Sequence, residues 1–91
     1  MRRYALTDGS ALWFDADSAR FFREAYHEGT EHEGLYRTAG GKWIIHTYSQ
    51  WEGTADTYTK MSNEEAARWL VVNGKEPHSA CATEYAALQI A

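Results

Sequence analysis

Leu35-Tyr36-Arg37-Thr38-Ala39-Gly40-Gly41-Lys42-Trp43-Ile44-Ile45-His46-Thr47-Tyr48 is the stretch whose reading decides the fold. Aromatic and β-branched residues crowd both flanks, and Ala39-Gly40-Gly41 supplies the turn between them, so it reads as strand, glycine turn, strand. Along the second strand Trp43, Ile45 and Thr47 point one way, and Ile44, His46 and Tyr48 point the other. Neither set is fully polar. Such a strand belongs at the centre of a sheet, or its outer face meets something else.

Downstream, the pattern changes to helix. Ser62-Asn63-Glu64-Glu65 is a capping box, in which Ser62 can bond the Glu65 amide while the Glu65 carboxylate reaches back. Glu64 and Glu65 also place negative charge on the positive end of the helix dipole. The spacing predicts a helix over 62–73, with Ala66, Trp69, Leu70 and Asn73 on one face and Gly74 ending it in the left-handed region. Trp69 is then the core anchor of that helix, as Trp43 is of the hairpin. Pro77 can open a second helix over 77–90, where Cys81, Tyr85 and Leu88 form an apolar stripe. Between hairpin and helix, 56–60 suits a further short strand.

Upstream, Tyr4–Thr7, Asp8-Gly9 and Ala11–Phe14 read as a tight hairpin, with Asp-Gly supplying positive φ angles. For residues 18–28 two patterns compete. A helix capped by Asp17 would align Ala19, Phe22 and Tyr26, whereas a strand would alternate Phe22 and Tyr26 with Phe21, Arg23 and Ala25. The aromatics and the preceding turn residues favour the strand. The expectation is a single α+β domain over 1–91, mainly strands and hairpins over 1–60. Its antiparallel sheet has three to five strands, with one or two C-terminal helices packed on one face.

Composition narrows the function. The chain's 91 residues carry 13 acidic and 9 basic side chains, a formal charge of −4, which disfavours direct nucleic-acid binding through phosphate neutralisation. Its 4 Trp, 6 Tyr and 3 Phe give enough apolar area to offset folding entropy, so disorder is not expected. A lone cysteine excludes an intrachain disulfide. The longest apolar run, Trp69-Leu70-Val71-Val72, is far short of the ~18 residues of a membrane span. No signal-peptide core follows Met1-Arg2-Arg3, and a cytoplasmic location is expected.

Four groups of residues could carry chemistry. In His27-Glu28-Gly29-Thr30-Glu31-His32-Glu33 the two histidines are five apart, not four, and Gly29 interrupts any helix, so the zinc-protease pattern fails. A loop could still gather His27, His32 and a carboxylate round a metal, but an exposed acidic loop over 28–33 is the simpler expectation. His78, Cys81 and Glu84 could meet on a helix, yet Cys81 lies on the apolar stripe, where it serves as a small buried hydrophobe. His46, among Tyr36, Trp43 and Tyr48, suits a hydrogen-bonded packing role better than general-base chemistry. Tyr48 and Trp51, in the polar segment Thr47-Tyr48-Ser49-Gln50-Trp51-Glu52-Gly53-Thr54, suit an exposed anchor with a polar rim, although Trp51 could instead fold back onto the core. No phosphate loop, nucleophile elbow or cofactor motif stands out. An enzyme is not expected.

The hairpin with Gly40-Gly41-Lys42-Trp43 and His46, followed by Ser62-Asn63-Glu64-Glu65-Ala66-Ala67-Arg68-Trp69-Leu70, resembles a group of small bacterial proteins found around phages and other mobile elements. The resemblance spans about residues 12–72. Ser49-Gln50-Trp51-Glu52-Gly53 stands where that group carries a glycine-rich stretch. The setting implies a stoichiometric inhibitor of host defence, anti-CRISPR proteins among them. With the acidic balance, this leads to a non-catalytic module that occludes a basic surface on a protein partner. Its expected contacts are Tyr48, Trp51, Glu52, Glu28, Glu31 and Glu33. A metal or small-ligand domain on His27 and His32 is the first alternative. A small nucleic-acid binder using Arg2, Arg3, Arg20 and Arg23 is the second.

Overall fold

A computed structural model describes residues 1–27, 31–49 and 55–90. It forms an α+β fold with two compact units, Met1–Lys60 and Met61–Ala91. In the first, β1 (Arg3–Ala5) pairs antiparallel with β2 (Trp13–Asp15), Tyr4 lying opposite Phe14. A single 3₁₀ turn at Ala16–Ser18 follows, the Asp17 amide donating to the Asp15 carboxylate. The main sheet comprises β3 (Phe21–Tyr26), β4 (Glu31–Arg37), β5 (Trp43–Ser49) and β6 (Thr57–Met61), in that spatial order. Within the 18–28 segment Phe21–Tyr26 is therefore strand, as its aromatic alternation favoured. β5 lies between β4 and β6, and with Ile44 buried on one face and Trp43 on the other, neither face is fully polar.

Register divides the side chains of β3, β4 and β5 between two faces. Phe22 opposes Tyr36, which opposes Ile44; Glu24 opposes Gly34, which opposes His46; Tyr26 opposes His32, which opposes Tyr48. All nine residues share one face, since opposed residues in adjacent strands point the same way. Leu6, Phe14, Ala16, Tyr36, Ile44 and Tyr58 form a buried core there, with Tyr4 and Ala19 packed against it. The Phe14 ring lies 5.3 Å from Tyr36 and 5.8 Å from Tyr58, tilted against both, a favourable aromatic arrangement. On the opposite face Leu35 and Trp43 are buried, and Phe21 meets Trp43 edge-on at 5.8 Å.

The β4–β5 turn forms where the glycines predict it. The Gly41 N–H donates to Thr38 O at 3.0 Å and the Lys42 N–H to Thr38 Oγ1 at 3.1 Å, with Gly41 at φ +81°. The β1–β2 hairpin corrects an expectation. Its connection spans residues 6–12 and is not a two-residue Asp-Gly turn, and the positive φ angles fall on Gly9 and Ala11, not on Asp8. Asp8 accepts instead from the Ser10 amide, a local bond that competes with the tight turn. Thr7 fastens this loop to β6: its amide donates to Tyr58 O at 2.9 Å, and its Oγ1 accepts from the Tyr58 amide at 3.0 Å.

In the second unit α1 (Asn63–Val72) carries both halves of the expected capping box at Ser62 and Glu65. Its far end closes as expected on Gly74 at φ +67°: Gly74 N–H donates to Val71 O and Lys75 N–H to Leu70 O, the paired bonds of a Schellman motif. Ala66, Ala67, Trp69 and Leu70 are buried. The second helix is much shorter than 77–90. Pro77 stays outside it, a 3₁₀ turn occupies Ser79–Cys81, and α2 runs only over Ala82–Ala87. His78 starts the turn by accepting the Ala80 amide on Nδ1, and the α-helix begins five residues downstream of Pro77. The intended stripe is graded accordingly: Cys81 is buried, Tyr85 half-buried and Leu88 exposed. No described helix is long and apolar enough to cross a membrane.

Candidate functional site

Across the open end of the sheet, three aromatic rings lie side by side because their strands place them opposite one another. Tyr26, His32 and Tyr48 form one cross-strand row. Tyr26 meets His32 edge-on with centroids 4.8 Å apart, and His32 lies 5.3 Å from Tyr48. The series continues inward, with Tyr48 4.7 Å from His46, His46 stacked on Tyr58 at 4.3 Å, and Tyr58 stacked on Tyr4 at 4.9 Å. The six rings join the solvent-exposed end of the sheet to the core, although burial is not monotonic along them, since His32 is buried and Tyr4 half-buried. Tyr26 is 68% exposed, Tyr48 and His46 are half-buried, and Tyr58 is buried.

Glu24 ties the outer rings together. Both carboxylate oxygens are used: Tyr26 donates its hydroxyl to Oε1, and Tyr48 donates to Oε2 at 2.5 Å. The Tyr26 and Tyr48 hydroxyls hold the Glu24 carboxyl below its ordinary range. Burial, then the bond to Glu24, pushes the Tyr48 phenol well above its usual value. Tyr26 is raised chiefly by its bond to Glu24, and burial pushes Tyr58 up to about 12. These shifts move the carboxyl and the phenols away from neutrality in opposite directions. None is poised to exchange a proton near pH 7, which is what a general acid or base requires.

The remaining candidates from the sequence fall into place unevenly. Glu31 and Glu33 belong to β4, so residues 31–33 of the expected 28–33 loop are strand, extended by pairing with Ser49, Tyr48 and Thr47. That pairing brings Tyr48 to the same end of the sheet as Glu31 and Glu33, but alternation turns the two carboxylates to the opposite face. Glu33 Oε1 lies 2.8 Å from His27 Nε2. His32 is buried within the aromatic row, on the other face from Glu33. Register therefore separates the two histidines of the metal alternative, and among the described residues no three His, Cys, Asp or Glu side chains are grouped to hold a metal ion. Trp51, Glu52 and Glu28 lie outside the described residues.

Of its expected neighbours, His46 meets Tyr48. Trp43 points to the opposite face, and the rings against His46 are Tyr4, Tyr48 and Tyr58, with Asp56 Oδ2 at 3.1 Å from its Nε2. Of the arginines named for nucleic acid, Arg2 bonds Asp17 at 2.6 Å, Arg3 lies over Trp13 and Arg23 lies over Phe21. Cys81 is fully buried, as the packing expectation had it. Sequence reasoning missed Glu24 and Tyr26 as site residues. The signal was present as the i, i+2 spacing of a strand, but the partner Tyr48 lies 24 positions away and only register joins it to them.

Comparison with known protein families, curated proteins and solved structures finds no match to this chain.

Proposed function

We propose that this chain is a non-catalytic protein-binding module, an acidic domain that occludes a basic surface on a protein partner. The observation that carries the reading is Tyr26, a large ring 68% exposed yet held in place by Glu24 and His32. An exposed tyrosine with little rotamer freedom left to lose is the kind of anchor that dominates binding interfaces. Glu24 shares its face, and Glu31 and Glu33 add negative charge at the same end of the sheet from the opposite face, complementary to a basic partner. Tyr48 belongs to the same proposed contact surface; Trp51, Glu52 and Glu28, which lie outside the described residues, are proposed as contacts from the sequence alone. The resemblance to phage-associated proteins supports the stoichiometric-inhibitor form of this reading, anti-CRISPR action included.

The test is a titration against the partner captured from the native host. Wild type should bind with fixed stoichiometry and an affinity that falls as salt rises. Tyr26→Ala should weaken binding tenfold or more, and Glu31→Gln with Glu33→Gln should reduce both the affinity and its salt dependence. Trp51→Ala extends the test to the segment after β5. Unchanged affinity in all these variants, with folding intact, removes the assigned surface.

A further inference from the structure

A concave feature lies away from the Tyr26 surface. The β1–β2 hairpin, the β4–β5 turn and β6 enclose a cleft of about 340 Å³, at the lower end of the range for small-molecule sites. Leu6, Phe14 and Ile44, all buried, form its floor. Leu12 and Trp13 line it while remaining 50% and 52% exposed, and the Arg3 guanidinium lies over the Trp13 ring. Period-two alternation explains Trp13: Phe14 faces the core, so its neighbour in β2 must face out.

The charge at this cleft runs against that of the protein. The chain has three lysines, and two of them, Lys42 and Lys60, line it. Neither forms an ion pair among the described residues, although Lys60 is near enough to Asp8 to favour its ionised form. The one acidic lining residue, Asp15, uses its carboxylate to cap the following 3₁₀ turn. An apolar floor, an exposed indole wall and two ammonium groups at an open rim make a site for a ligand that is apolar at one end and anionic at the other.

We propose that this cleft binds a small hydrophobic carboxylic acid, its hydrocarbon body against Leu6, Phe14, Ile44 and Trp13 and its carboxylate toward Lys42 and Lys60. The site shares no residue with the Tyr26 surface, so it stands or falls independently of the docking function. Its size suits a free small molecule better than a protein segment.

The experiment titrates naphthalene-2-carboxylate, and in parallel its uncharged isostere naphthalene-2-carboxamide, into the full ¹⁵N-labelled chain while amide shifts are followed. The expected result is saturable shifts at Leu6, Leu12, Trp13, Thr38, Gly40 and Lys42, with the carboxylate binding at least tenfold more tightly than the carboxamide. Lys42→Met with Lys60→Met, which keeps the aliphatic stems, should abolish that tenfold preference without weakening carboxamide binding. Trp13→Ala should weaken both ligands. Equal affinity of the two ligands for wild type overturns the proposal, whether or not the variants fold. So do shifts that fail to saturate or that centre on 61–90. Tighter binding by a peptide ending in a free leucine carboxylate overturns the small-molecule assignment.

Discussion

Replacing Gly34 with alanine probes how closely β3 and β4 are packed beneath the aromatic row. A Cβ at Gly34 would lie 2.7 Å from Phe22 Cε2 and 3.1 Å from Phe22 Cζ, well inside the ~3.5–4.0 Å at which carbon atoms attract. The Phe22 ring has moved diagonally into the space that the missing side chain leaves, since its direct partner is Tyr36 and not Gly34. It is held there by Tyr36, whose ring centroid is 4.6 Å away. Gly34 does not have a positive φ, so the substitution tests packing without backbone strain. Overpacking of this kind costs about 1–3 kcal/mol, against which alanine recovers about 0.5–1 kcal/mol of strand propensity. Phe22 is 40% exposed and part of its ring can yield toward solvent, which places the net loss near 1 kcal/mol. Urea unfolding measures it, and the Phe22→Ala background isolates its cause. Without the ring, Gly34→Ala should be neutral or stabilising by up to about 1 kcal/mol, a coupling of roughly 1–2 kcal/mol between two touching positions. An equal loss in both backgrounds refutes the packing argument, and so does stabilisation of the wild-type chain by Gly34→Ala.

Glu24→Gln should destabilise the fold by about 1–3 kcal/mol at pH 7, because two charge-assisted bonds lose their anion, and chemical unfolding will register the change. The folded carboxyl lies below its ordinary value of 4.5, so its stabilisation is present above that value and is lost as pH falls through the depressed folded one. The acid limb of a stability–pH curve should therefore be shallower in the variant than in wild type. At the alkaline end the sign is reversed: Tyr48 and Tyr58 are raised above 10, and the stability they confer is present below that pH and lost as pH climbs toward their folded values. Ultraviolet titration should show phenols ionising late, together with loss of near-ultraviolet circular dichroism, whereas six phenols all titrating near 10 in an intact fold would contradict the burial described. Ser62→Ala should cost about 1 kcal/mol by removing the acceptor for the Glu65 amide, read as a lower urea midpoint with an unchanged slope.

How much was legible follows from how far apart the interacting residues are. The capping box needs only Ser62 and Glu65, and the Schellman end only a glycine that tolerates φ +67°, so both stand in the sequence as they stand in the structure. The β4–β5 hairpin was equally plain, because Thr38, Gly41 and Lys42 close their own turn. Where a side chain takes a backbone amide within its own loop, local reading failed. Asp8 takes an amide bond within its own loop and lengthens the first hairpin, and His78 takes the Ala80 amide and delays the last helix. Glu31 and Glu33 look like loop acids until β5 extends β4 through them.

By itself the sequence determined the kinds of element and their order, since strand alternation, helix caps and turn glycines act over a few residues. It also placed Trp43 and Trp69 in buried positions and left a formal charge of −4. Only the tertiary structure decided which side chains meet. Register alone sets Tyr26, His32 and Tyr48 in one row and turns Glu31 and Glu33 away from it, because a one-residue shift would move every side chain to the other face. Likewise, Lys42 and Lys60 are eighteen positions apart and become neighbours of Trp13 only when the two hairpins and β6 close round one cleft. Binding surfaces are built from such long-range coincidences, and for that reason the composition could suggest a binding protein but not where it binds.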